Sequence, residues 1–361
     1  MMTLVIYGAQ AIALGAYKAM KEVFPDQDIL CFLVSKMGAN APVLGGKPVR
    51  ELEEFVSALS LEEKEEIQVL IATPETVMGA IEQSLDEAGL HCYVRLDSLR
   101  WAQMQQMAFA RSGQYMPLAA YPVGFHRPSL QVYKAKFFKD KELQTGFVNP
   151  DYMIDLQVGA ARTEQRVAEL LDNDGDHISE RNGNYSELTG LYWMWKNQIL
   201  PSEDRNEKYY GLAHYRRLFD LSDDDLLRIQ DNGIDVILPY PMPYEPDIEV
   251  HHKRYLSDAE WNAVLQALEE LQPEYAEACK ELLKQGYMYN YNIIIAKGNV
   301  LNDYCSWLFP ILFRVEEIND PEGVKVPNRF AGYIGETLET LYFLYHKQEL
   351  CIAHAGCRFL S

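Results

Sequence analysis

The sequence predicts an α/β protein of two domains, a small doubly wound one in front and a larger one behind it. Three observations carry this. The first hundred residues alternate short apolar runs of strand length with amphipathic runs of helix length, the pattern of a parallel sheet covered by helices on both faces. The 361 residues suffice for two cores, and 48% of them are hydrophobic. Between Arg111 and Ser129 regular patterning lapses, and Gly113, Pro117, Pro122, Gly124 and Pro128 punctuate the chain. The expected division is therefore 1–110 for the front domain, 111–129 for a connector and 130–361 for the second domain.

In the front domain Thr3–Tyr7 reads as a strand, Gly8 as a turn and Ala9–Glu22 as a helix. Asp28–Val34 is a second strand, Arg50–Leu59 a helix, Ile67–Thr73 a third strand, and Pro74–Ala88 a helix with proline in its first turn. This is a Rossmann-like order, and such sheets hold ligands at the carboxyl ends of their strands. The segment Gly8-Ala9-Gln10-Ala11-Ile12-Ala13 keeps the first glycine of a dinucleotide fingerprint and lacks the two that bring the backbone up to a pyrophosphate. Tight NAD binding by residues 1–110 would be needed to sustain an oxidoreductase reading. Val43-Leu44-Gly45-Gly46-Lys47-Pro48-Val49 and Ile71-Ala72-Thr73-Pro74-Glu75 resemble the small nucleotide-binding-like domain at the front of bacterial sugar-modifying acyltransferases.

The second domain opens on a strand, Leu130–Ala135, followed by the acidic loop Asp172–Glu180. Its carboxylates are close enough in sequence to collect a divalent cation, but the glycine and closing Glu fall at the wrong spacing for a calcium loop. Asn184-Tyr185-Ser186-Glu187 reads as a helix start, with an Asn cap and a carboxylate three residues on. Leu188, Leu191, Tyr192, Trp195 and Ile199 then form a core stripe that Trp193 and Met194 stand off.

The organising stretch is Lys208–Arg217, an apolar strand that delivers His214, Arg216 and Arg217 at its end. Strand alternation predicts His214 and Arg216 on one face and Tyr215 and Arg217 on the other. Guanidiniums fit phosphate or carboxylate oxygens two at a time, so the pair is a candidate anion clamp. Ser222 with Asp225 and Ser257 with Glu260 announce capping boxes, and Pro273 opens another helix. Tyr289–Ala296 reads as a strand with Asn290 and Asn292 on one face, their amides free for ligand hydroxyls. An apolar helix from Val300 to Ile318 follows, then Gly332–Leu338, which places Glu336 near a helix start.

A formal charge of −20 argues against a nucleic-acid binder and disfavours broad docking on an anionic membrane. Any positive site must be local. The opening residues lack the features of a secretion signal, no apolar run is of membrane-spanning length, and the six cysteines form no C-x-x-C pair. A cytoplasmic, reduced protein is expected.

Four segments, Asn184–Asn197, Gly211–Arg217, Tyr289–Asn292 and Gly335–Leu338, together resemble a bacterial family long catalogued as a domain of unknown function and associated with capsular polysaccharide and exopolysaccharide synthesis. Its members look like glycosyltransferases of the GT-A type. The resemblance runs from about Leu130 to the C-terminus. It implies transfer of a sugar, galactose or galactofuranose, from a nucleotide-diphosphate donor such as a uridine-diphosphate sugar. The acceptor would be a glycan or lipid-linked glycan, and contact with the inner membrane would come only through it. Where the GT-A fold carries an Asp-x-Asp metal site, this chain reads His214-Tyr215-Arg216-Arg217, so a manganese or magnesium cofactor is left open and no metal ligand is assigned. After Glu336 the chain has Thr337 where an arginine is expected.

Such a reaction leaves negative charge on the departing diphosphate, which His214, Arg216 and Arg217 are expected to meet in place of a metal. Asn290, Asn292 and Trp193 would hold the donor, and Glu336, with Asp176 second, is the expected catalytic base. The rival reading is a non-catalytic glycan-binding or scaffold protein of a polysaccharide-assembly complex.

Overall fold

The computed structural model describes residues 3–143 and 146–360. The chain divides into two compact units, one running to Met116 and taking in Met242–Pro246, the other comprising Pro117–Pro241 and Asp247–Leu360. In the first unit β1 (Thr3–Tyr7), β2 (Ile29–Val34), β3 (Val43–Leu44), β4 (Lys47–Glu51), β5 (Ile67–Ile71) and β6 (Tyr93–Arg95) lie in the order β3-β4-β2-β1-β5-β6. All pairs are parallel except β3 with β4. Helices α1 (Ala11–Val23), α2 (Leu52–Ser57), α3 (Leu61–Glu66), α4 (Glu75–Glu87) and α5 (Ser98–Ser112) connect them. Leu4 and Ile6 enter one core layer while Val5 and Tyr7 enter the other, the two-residue alternation of a strand buried on both faces. Gly8 sits at φ +127°, and a Cβ there would stand 2.5 Å from the Ala72 carbonyl, so only glycine makes this turn. The hairpin β3–β4 and the elements after Leu90 carry weaker periodicity than the rest and are additions to the sequence reading.

The first unit is completed from far along the chain. Met242 is buried in its core, the Gly45 N–H donates to Glu245 Oε2 at 2.8 Å, and Lys18 lies 3.7 Å from the same carboxylate.

The second unit begins with β7 (Leu130–Lys136), β8 (Met153–Gln157) and β9 (Leu170–Leu171), followed by α6 (Asn182–Tyr185) and α7 (Leu188–Met194). Next come β10 (Tyr209–His214), β11 (Arg217–Phe219), α8 (Asp223–Asp231) and β12 (Val236–Pro239), with β13 (Met242–Pro243) inside the segment counted with the first unit. The rest is α9 (Ile248–His252), α10 (Asp258–Leu271), α11 (Pro273–Leu283), β14 (Tyr287–Met288), β15 (Ile294–Lys297), α12 (Gly298–Asn319), α13 (Phe330–Tyr345), β16 (Ile352–Ala355) and β17 (Cys357–Phe359). Its main sheet runs β16-β12-β15-β10-β7-β8-β9, with β11 joined to β10 and β17.

Both predicted capping boxes are present, at Ser222 with Asp225 and at Ser257 with Glu260, and Pro273 opens α11. Because β10 and β7 are parallel while β15 runs against β10, the carboxyl end of β10 meets the residues that lead into β15. The Leu212–Ile294 register pair fixes that meeting point. Among the described residues no helix is long and apolar enough to cross a membrane.

Candidate active site

β10 ends one residue earlier than a continuous strand would require. His214 pairs with Arg217 across a two-residue turn, Tyr215–Arg216, and the chain returns as β11. Cross-strand partners share a face. His214 and Arg217 are therefore neighbours, and the alternation that put Arg217 opposite His214 fails because the strand folds back at its end. The Arg217 guanidinium lies over the Tyr291 ring, 4.4 Å from its centroid. Arg216 goes elsewhere: its Nε donates to the Leu360 carbonyl at 3.2 Å, and the Leu360 N–H donates back to the Arg216 carbonyl at 2.9 Å. It fastens the C-terminal segment to the hairpin tip.

The expected strand Tyr289–Ala296 is also shorter, starting as β15 at Ile294. Tyr291 and Asn292 before it adopt left-handed backbone, with φ of 78° and 49°. That turn carries both asparagines to carboxylates. Asn290 Nδ2 donates to Glu336 Oε2 at 3.0 Å, and Asn292 Nδ2 donates to Glu187 Oε1 at 2.6 Å and to the Gly332 carbonyl at 3.0 Å. Asn292 is only 2% exposed, and both its amide hydrogens are taken. The asparagines hold glutamates, so the amides expected to be free for sugar hydroxyls are engaged by the protein itself.

Glu187 is the residue that sequence reasoning misassigned. Asn184 lies inside α6 rather than capping a helix, and its Oδ1 accepts the Asn328 N–H at 3.2 Å. Ser186, at φ 51°, breaks the chain direction, and α7 starts afresh at Leu188. The break releases the Glu187 carboxylate from any capping role and turns it to Asn292, with Oε1 also 3.8 Å from His214 Nε2. His214 bonds the Tyr291 backbone, while its Nε2 is buried without a hydrogen-bond partner. Burial pulls the imidazole pKa below its ordinary value; Glu187 opposes this, and the positive charges of Arg217 and Arg329 add to it. His214 is accordingly held neutral and is not a second cation.

Glu336 falls in the second turn of α13, not at its start. Burial pushes its pKa up to about 7, Asn290 pulls the other way, the Glu187 charge adds to the rise, and Arg217 offsets part of it. One turn on, Glu339 is buried and held well above the ordinary carboxylate range by the same desolvation, and its Oε2 has no partner. Left-handed backbone concentrates here. Ser186, Tyr291, Asn292 and Arg329 all carry positive φ, and among the described non-glycine residues only Tyr115 does so elsewhere. Each such residue costs of order 1 kcal/mol or more and persists where the surroundings over-determine it.

Trp193 and Asp176 belong to a neighbouring structure. The Trp193 indole is 3% exposed, packs edge-on to Tyr133 and donates to the Asp174 carbonyl at 2.9 Å, so it has no face free to stack on a ligand. Asp176 is an exposed loop residue whose Oδ1 accepts the Tyr192 hydroxyl at 3.1 Å. In that loop the buried Asp172 carboxylate accepts the N–H groups of Gly159 and Ala160 and the Ser179 hydroxyl, which makes it a structural staple. Among the described residues no three His, Cys, Asp or Glu side chains are grouped to hold a metal ion. At the hairpin His214 has the Arg217 guanidinium as its cross-strand neighbour and a single carboxylate, Glu187, at 3.8 Å, a donor set short of the oxygens a divalent cation needs.

The family described as Domain of unknown function (DUF4422) matches residues 139–348, over half of the chain. The chain belongs to the DUF4422 family. Every residue of the cluster around His214 and Glu336 falls inside the DUF4422 segment, and of the first unit only Met242–Pro246 does. A solved apo structure of WbbM, a bifunctional glycosyltransferase, is similar to this chain at 25% identity and a TM-score of 0.54, over 64% of this chain and 45% of the WbbM chain. This DUF4422 protein thus spans under half the length of that relative. The likeness agrees with an α/β fold of Rossmann-like, GT-A type. No curated protein matches the chain.

Proposed function

We propose that the chain is a glycosyltransferase, moving galactose or galactofuranose from a uridine-diphosphate donor to a capsular or exopolysaccharide acceptor through the site in residues 130–361. Likeness to a bifunctional glycosyltransferase supports the reaction class. The observation that carries the reading is Glu336: a half-buried carboxyl with its pKa at about 7, oriented by Asn290, in electrostatic reach of Arg217. A base tuned near neutrality beside a guanidinium is what sugar transfer to a hydroxyl asks for.

In this mechanism Glu336 takes the proton of the acceptor hydroxyl as its oxygen bonds to the anomeric carbon. The bond from that carbon to the diphosphate breaks, and its electron pair leaves on the diphosphate oxygen, where Arg217 meets the charge. Asn290 orients the base. Asn292 fixes Glu187, which sets the electrostatic background of both Glu336 and His214. No step runs through a metal.

A thermal-shift panel of nucleotide sugars, run with manganese and again with chelator, tests the proposal. The expected result is a shift with one uridine-diphosphate sugar that survives chelation, followed by release of UDP when acceptor is added. Binding of oligosaccharide with no response to any nucleotide sugar would replace this reading with the scaffold one.

A further inference from the structure

The clamp expected at the hairpin is short of charge. Arg216 bonds the C-terminal segment and its charge acts on Asp140, and His214 is neutral, so Arg217 is the hairpin cation whose charge reaches Glu336 and an incoming diphosphate. The second cation comes from another part of the chain. We propose that Arg329 is the second guanidinium of the diphosphate-binding site, set in position by Ser186. The inference rests on the glycosyltransferase reading and adds to it a donor-binding residue.

Arg329 Nε donates to Ser186 Oγ at 3.1 Å. That single bond orients the planar head and leaves both terminal nitrogens, among the described residues, without a protein acceptor. A guanidinium pinned at Nε presents two parallel N–H groups, the fork that phosphate oxygens fit. Ser186 is the residue before Glu187, whose Oε1 lies 3.8 Å from His214 Nε2, and His214 is the cross-strand partner of Arg217, so Arg329 is anchored beside the same cluster; its charge accordingly acts on His214. The residue is also where local rules say it should not be. It is the N-cap of the 16-residue α13, a position that favours Ser, Thr, Asp or Asn, and its backbone is left-handed at φ 66°. Its positive charge stands at the positive end of the helix dipole. Ser186, which holds it, is left-handed too. Local penalties of this kind gather where a functional arrangement over-determines the backbone. An anion between Arg329 and Arg217 removes the electrostatic part of the conflict.

The test uses the full chain and titration calorimetry with UDP, UMP and inorganic pyrophosphate on Arg329→Gln, Arg329→Lys and Ser186→Ala, each with its circular-dichroism melt. Arg329→Gln should weaken UDP about tenfold or more while changing UMP far less, so that the UDP-to-UMP preference collapses. Arg329→Lys should keep part of that preference, Ser186→Ala more of it, and pyrophosphate should follow UDP. If Arg329→Gln does not fold, the preference measured on Arg329→Lys decides. A folded variant with the wild-type preference overturns the role of Arg329 and leaves the glycosyltransferase reading standing. A wild-type chain that binds neither UDP nor pyrophosphate overturns both.

Discussion

Glu336 is a carboxyl group that folding places at a disadvantage and catalysis would use. With its folded pKa at about 7 against 4.5 ordinarily, the native state holds a proton that the unfolded chain has released, so stability falls as pH rises from 4.5 through 7. Glu336→Gln should therefore match the wild type in stability near pH 4 and exceed it above pH 7, by roughly 3 kcal/mol from the shift. Denaturant melts at the two pH values check this; equal stability of the two proteins at pH 8 would contradict the burial argument. The same variant should lower kcat by about 10²–10⁴-fold, and the wild-type rate should climb with pH through about 7 as the base ionises. Asn290→Ala removes a bond that favours the ionised carboxyl, so the midpoint of that pH–rate profile should move upward. An unmoved midpoint would show that Asn290 does not tune the base. Glu336 and the two asparagines were legible in the sequence as candidate site residues. Their partnership was not, because it depends on Tyr291 and Asn292 both being left-handed, a conformation that asparagine tolerates but tyrosine does not announce.

Elements were legible where their signals are local. The Ser222 and Ser257 capping boxes and the proline at the start of α11 each depend on residues three apart or fewer, and each formed as read. The same pattern misled at Asn184–Glu187, where Ser186 breaks the helix and Glu187 is pulled to Asn292, 105 positions along the chain. Tertiary contact outweighed the cap. Packing around that contact is tight: a Cβ on Gly335 would lie 2.8 Å from both Asn292 Oδ1 and Leu188 Cδ1. Asn292 is fixed by two hydrogen bonds and Leu188 is fully buried, so neither can yield cheaply. Gly335→Ala should cost about 1–3 kcal/mol despite alanine's better helix propensity, with activity falling further than stability. Asp172→Ala strips three donors of their buried acceptor and should cost at least about 3 kcal/mol in a denaturant melt. A loss below 1 kcal/mol would mean that water replaces the carboxylate.

For the whole molecule, charge and composition pointed to a local positive site should the ligand be an anion, and the alternation of strands and helices pointed to the front sheet, which is there. What no linear reading exposes is that the first unit includes Met242–Pro246. Residues 1–116 expressed alone lack Met242 and the Glu245 carboxylate that Gly45 and Lys18 reach. Their β1 and β2 amides should exchange hydrogen faster than in the full chain; equal protection would show that the late segment is dispensable. The same arrangement sets a timetable during synthesis. The ribosome passes Met116, the end of this unit's first stretch, about 125 residues before it makes the piece that completes that unit's core, a wait of roughly 6 to 25 s at ordinary elongation rates. Through that interval the nascent front sheet stands with its core open at the place Met242 will fill, and a chaperone bound to the emerging chain would find its client there.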